Sequence, residues 1–96
     1  MAGEIKLTPS QMRERAKAFG KERDAMDKSI SNMTKLINAL ENEWKGDASK
    51  AYKARYESLK PAFKNAKDLM DELSKNLNAS AKIMEETDAK IAGQLK

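Results

Sequence analysis

Apolar residues recur along most of this chain at steps that alternate four and three. In the first half the inward positions are Met12, Ala16, Phe19, Arg23, Met26, Ile30, Met33, Ile37, Leu40 and Trp44. In the second half they are Tyr52, Tyr56, Leu59, Phe63, Ala66, Met70, Leu73, Leu77, Ser80, Met84, Thr87 and Ile91. A heptad stripe of this kind predicts two long amphipathic helices packed along a seam. Thr8-Pro9-Ser10-Gln11 marks the first start, with Thr8 as N-cap, Pro9 at the first helical position, Gln11 placed to close a capping box and Leu7 placed to staple against Met12. Near the midpoint, Glu43-Trp44-Lys45-Gly46-Asp47 interrupts the pattern. Gly46 suits a helix stop at which the chain passes through positive φ, and Asp47 can accept from the free N–H groups of a following helix. Trp44 stays in register with the first stripe, so its indole is expected at the end of the core with its N–H within reach of water. The expected layout is one domain over 1–96: an irregular arm, helix 1 over about 8–43, a turn at 44–47, helix 2 over about 48–91, and a tail at 92–96 whose fraying Gly93 marks.

The remaining positions refine the picture. Arg23 is the one charged member of the first stripe, and its stem can lie along apolar surface with its head in water. Lys21, Lys28 and Lys35 repeat on the far side, as do Asp68, Lys75 and Lys82 on the second helix, where a solvated face is expected. Pro61 also falls opposite the stripe, so a gentle bend around the core is expected there and not a break. Helices of about 36 to 45 residues are roughly 55 to 65 Å long, giving an extended hairpin with one thin seam. Leu36, Ala62, Leu69 and Ile83 flank the stripe and make it wider than two helices need. Pairing of two hairpins into a four-helix bundle would bury that surplus.

Composition narrows the function classes. The 96 residues are 40% apolar and 35% charged, with five aromatics and no Val, which suits long helices and disfavours a sheet. There is no His and no Cys, which removes the usual imidazole base, thiolate nucleophile, zinc ligands and disulfides. No cofactor and no catalytic site are expected. The net charge of +4 arises from nineteen basic residues interspersed among fifteen acidic ones, without a block of like charge. Met1 to Leu7 lack the apolar run of a secretory signal, so synthesis in the cytoplasm without a cleavable leader is expected.

Trp44-Lys45-Gly46 in a central turn between two heptad helices resembles the WXG-motif family of small secreted proteins, the early-secreted-antigen-like substrates of type VII secretion systems in Gram-positive bacteria. The resemblance covers nearly the whole chain. It implies an export signal on the second helix, where Met84, Asp88, Ile91 and Leu95 match the looser pattern of hydrophobic, acidic and two further hydrophobic positions. No tyrosine stands at position 84, so the mycobacterial form of the signal is departed from and the likeness is to the non-mycobacterial branch. Taken alone, Met84 and Ile91 are ordinary core positions and Asp88 an ordinary exposed acid.

The resemblance implies a protein exported as a folded helical dimer, recognised by the secretion ATPase, with a role as a virulence-associated factor or as a co-export partner of other secreted substrates. A second copy is the expected partner, with a related hairpin as the alternative. A different class is a cytosolic helical adaptor or weak nucleic-acid-binding bundle, suggested by the pI of about 9.3. Against nucleic acid, the bases of charge alternate with acids and no stacking platform or recognition motif appears. A released amphipathic helix could lie on a membrane, but methionines in a helical stripe serve packing in most cases.

Overall fold

The structure, a computed structural model, describes residues 6–94. They form two helices, α1 (Pro9–Glu43) and α2 (Asp47–Gln94). Cross-helix contacts run antiparallel, from Glu41–Lys53 near the turn to Arg13–Glu85 at the far end. The start of α1 is the expected capping box: Thr8 Oγ accepts from Gln11 N at 3.1 Å, and Gln11 Oε1 accepts from Thr8 N at 2.9 Å. α2 begins on Asp47 and not after it, which places a carboxylate in the first turn, where the helix dipole favours negative charge. The Ser49 hydroxyl donates back to the Gly46 carbonyl at 3.0 Å.

α2 is helical through Gly93 to Gln94, a little past the expected end near 91. A helical glycine costs about 1 kcal/mol relative to alanine, which weakens a last turn without dissolving it. Leu95 lies outside the described residues. The helix also continues unbroken through Pro61, as expected, with the proline exposed.

The hairpin measures 76 × 26 × 15 Å, with a radius of gyration of 21.3 Å; a compact domain of this length would have about 12 to 13 Å. A 15 Å thickness is little more than one helix with its side chains, about 10 to 12 Å. It is a single layer, and among the described residues no large side chain is fully buried.

Within that layer the seam is rotated from the one the stripe suggests. With Ala16 and Tyr56 lettered as heptad a positions, the helices meet along a and e. Gly20 on α1 and Ser74 and Ala81 on α2, all e positions, are buried, as are Ala16, Ile30, Ser49 and Tyr56 at a; Met12, near the start of α1, is the one buried d position. Leu40, Trp44, Tyr52, Leu59, Ser80, Thr87 and Ile91, expected inward, are instead exposed. Residue size and charge explain the rotation. The e edge carries small residues that let the backbones approach, and its charged residues pair across the seam: Asp27 with Lys67 at 3.4 Å and Glu41 with Lys53 at 3.0 Å. The opposite flank, d and g, carries Leu36, Leu40, Leu59, Leu69 and Ile83, all exposed.

Three polar contacts fix the register. Tyr56 Oη lies 3.1 Å from the Ile30 carbonyl oxygen and 2.6 Å from Thr34 Oγ, while Thr34 Oγ lies 2.9 Å from the same carbonyl, so two hydroxyl protons serve three contacts. Ser74 Oγ donates to the Ala16 carbonyl at 2.7 Å. At mid-length, Arg23 does not simply send its head to water: Nε donates to Asp24 at 3.0 Å and Nη1 to Asp71 on the other helix at 2.8 Å. These two carboxylates hold the guanidinium above its ordinary pKa. Asp71 is held below the ordinary carboxylate value by Lys75 first and Arg23 second. Lys75 is on the same helix with a mostly exposed side chain, so the Arg23 contact is the one that ties helix to helix.

Two outcomes follow from these contacts. Tyr56→Phe removes a buried bond to α1 but leaves Thr34 on the Ile30 carbonyl, so it should cost about 1 kcal/mol in urea unfolding at fixed protein concentration. Asp71→Asn should lower the melting temperature modestly at neutral pH, both partners being partly solvated. Because the native pKa is depressed, the contribution of Asp71 is present above 3.8 and lost as pH falls through the lower native value. The gap between Asp71→Asn and the native chain should therefore close in acid, and a gap that persists there would rule out the ionised pair as its source.

Candidate functional site

Trp44 caps α1, with φ −120° and ψ 81°, and its N–H donates to the Leu40 carbonyl at 2.7 Å. Its side chain remains 46% exposed. The indole lies against Tyr52, the first apolar side chain of the second stripe, with ring centroids 6.2 Å apart and planes inclined at 38°, inside the range of favourable aromatic pairs. Gly46 has φ 159°, positive as expected but at the extended border and far from the left-handed helical well. The turn is therefore opened by an extended glycine and not by a left-handed C-cap. Nothing approaches within 4 Å of the position a Gly46 Cβ would take.

Tyr52 is the residue at this end that the motif alone does not single out. The available signal was two aromatics on consecutive stripes flanking the turn, which a hairpin must bring together. Leu40, also exposed, extends the same apolar end.

At the opposite end, Met84, Asp88 and Ile91 stand at i, i+4 and i+7 and so share one face of α2. Met84 is half-buried, Asp88 and Ile91 are exposed, and from Glu85 to Gln94 every residue is exposed. The reason is an overhang. Beyond the Arg13–Glu85 contact about 6 Å of α1 remains but about 13 Å of α2.

The structure thus gathers Trp44 and Gly46 at the turn and Met84, Asp88 and Ile91 at the far end, and keeps the two groups roughly 60 Å apart by helix rise. The chemistry at both ends is that of docking, aromatic and aliphatic surface with one carboxylate. Among the described residues no group of three or more His, Cys, Asp or Glu is placed to hold a metal ion, and no helix is long and apolar enough to cross a membrane.

Comparison with known proteins places this geometry. Residues 4–89 match the model of WXG100, described as proteins of 100 residues with WXG. Protein YukE of Bacillus subtilis is 34% identical over 96 residues, covering 100% of this chain and 99% of that protein. The type VII secretion system extracellular protein A of Staphylococcus aureus is 23% identical over 88 residues, covering 92% and 91%. Among solved structures, EsxA of Geobacillus thermodenitrificans superposes with a TM-score of 0.88 at 34% identity, covering 96% of this chain and 99% of that one. The secreted protein EsxB of Bacillus anthracis superposes with a TM-score of 0.80 at 24% identity, covering 91% and 99%. The family match spans the turn, with Trp44, Lys45 and Gly46 inside it.

Proposed function

The chain belongs to the WXG100 family, and on that footing we propose that it is a substrate of a type VII secretion system, exported as a folded dimer of helical hairpins. The observation that carries this reading is the match along the full chain with Trp44-Lys45-Gly46 at the hairpin turn. The naming of the Staphylococcus aureus relative as a type VII secretion system extracellular protein supplies the export route.

The dimer rests on the open flank. Leu36 at 69%, Ile83 at 62% and Leu69 at 50% exposure lie on the d and g side of a single helical layer. Domains are stable when two layers close over one core. A second copy supplies the missing layer with the same flank, as two-fold symmetry requires.

Head-to-tail pairing sets α1 antiparallel on α1 of the second copy and α2 on α2. The overhang of α2 then lies over the other copy's turn, where Leu40, Trp44 and Tyr52 are exposed. Trp44 and Gly46 of one chain and Asp88 and Ile91 of the other become neighbours, with Met84 seating the segment. The export machinery, with its ATPase, would read this composite surface, which a monomer lacks.

Three measurements test the reading. In a host with an intact secretion system the protein should appear in the medium, and deletion of the secretion ATPase should retain it in the cells; equal release from both strains would refute the route. By light scattering the particle should have about twice the 10.8 kDa chain mass at micromolar concentration, and a monodisperse monomer would refute the dimer. Trp44→Ala and Asp88→Ala chains should each be retained, yet co-expressed they should form mixed dimers with one intact composite site and recover part of the export. Confirmed mixed dimers exported no better than either mutant homodimer would count against a single composite site.

A further inference from the structure

The e edge, away from the exposed apolar flank, carries a groove of about 440 Å³ between α1 and α2. Its floor is Gly20, buried in the middle of α1. Glycine is among the poorest residues for a helix interior, and it is kept there in most cases because packing leaves no room for a side chain. That is not so here. A Cβ on Gly20 would meet Ser74 Oγ at 3.5 Å and Arg23 Nη2 at 3.6 Å, both ordinary contacts. Packing requires a small residue here but not a glycine as such; the glycine leaves the space of one methyl group beside the Arg23 guanidinium.

That guanidinium is already fixed on its other side. Nε donates to Asp24 and Nη1 to Asp71, while Nη2, above Gly20, has no hydrogen-bond partner among the described residues. Arg13, Lys17 and Lys21 line the same groove at successive steps of four along α1. Like charges at that spacing repel on an isolated helix. Arg13 is offset by Glu85, but among the described residues Lys17 and Lys21 pair with no carboxylate. Asp24, the one acid in the lining, is engaged by Arg23, and Asn78 adds an amide on the opposite wall.

We propose that this groove binds a phosphate group, either as a free anion or on a lipid headgroup. The held guanidinium can donate to one phosphate oxygen through the unpaired Nη2, and the two mobile ammonium groups of Lys17 and Lys21 complete the charge. The bound anion would relieve the repulsion along α1 and put the otherwise costly opening at Gly20 to use. Because the groove lies on the e edge, it stays open when the d and g flank is covered, so it does not depend on the proposed export role.

Titration of the intact, isotopically labelled protein with inorganic phosphate, against sodium chloride at matched ionic strength, tests the site. Saturable amide shifts centred on Gly20, Arg23, Ser74 and Asn78 are expected with phosphate and not with chloride. The Lys17→Gln, Lys21→Gln double variant should bind about tenfold more weakly. Gly20→Ala should melt at a higher temperature than the native chain and yet bind phosphate more weakly, a combination that a purely structural glycine would not give. Vesicles containing phosphatidylglycerol separate the two sources. Vesicle binding that phosphate displaces and the double variant loses assigns the group to a lipid headgroup; phosphate binding without vesicle binding assigns it to a free anion. Shifts matched by chloride, shifts spread over all the surface lysines, or affinity unchanged in both variants would overturn the proposal.

Discussion

Two helices laid side by side can cover only one flank of each other's apolar stripe. Every notable feature of this hairpin descends from which flank is covered. The a and e side closes because small residues, Ala16, Gly20, Ser74 and Ala81, let the backbones come together there. Ion pairs along the same edge then gain partners without being sealed from water. Leu36, Leu59, Leu69 and Ile83 are left exposed on the other flank, while the d residues Phe19, Met26, Met33 and Leu73 are only half-covered. Hydrophobic burial, at about 25 cal/mol per Å², is the largest favourable term a domain has, and here a single chain leaves part of it unmade. Stability of the isolated chain and stability of an assembly are consequently different quantities.

Polar contacts compensate for the thin seam by fixing register more than by adding net energy. A heptad seam can slide by seven residues and still present apolar to apolar. Sliding this one would strand Tyr56 Oη away from the Ile30 carbonyl, Ser74 Oγ away from the Ala16 carbonyl and Arg23 away from Asp71. Unpaired polar groups in a half-buried seam are costly even though each made bond contributes little. The registered state is selected by what the alternatives lose. That selection also sets the length of the α2 overhang, and so decides how far Asp88 and Ile91 stand clear of α1.

Much of this was legible in the residues. The capping box at Thr8 and Gln11, the two helices, the turn at Trp44 to Gly46 and the solvated lysine faces all follow from local patterns whose physics is local. The flank that closes did not, because a spacing of four and three defines a line along a helix and says nothing about which side of that line meets the neighbour. Ser74 and Ala81 look like surface residues in the sequence and are buried only because Ala16 and Gly20 stand opposite. Gly93 lowers local helix stability without ending α2 there, because a terminal turn needs only its own hydrogen bonds and a tolerable backbone. At the candidate site, Trp44 and Gly46 were readable as a motif, whereas Tyr52 acquires its place against the indole only once the hairpin has formed.

The two edges of the hairpin divide its chemistry. The d and g flank carries the exposed apolar residues, from Leu36 and Leu59 near the turn to Ile83 near the far end, and their contacts depend little on salt. The e edge is charged, with acids clustered at Asp24, Asp27, Asp68 and Asp71 and bases at Arg13, Lys17 and Lys21, so its interactions weaken as ionic strength screens them. Arg23 stands at the boundary, its guanidinium tied to the acidic side by two bonds and open to the basic side at Nη2. A near-even overall balance of charge thus conceals local fields of opposite sign. Association through one flank leaves the other edge free to meet a charged ligand, and a change confined to the polar edge can alter that encounter without disturbing the apolar one.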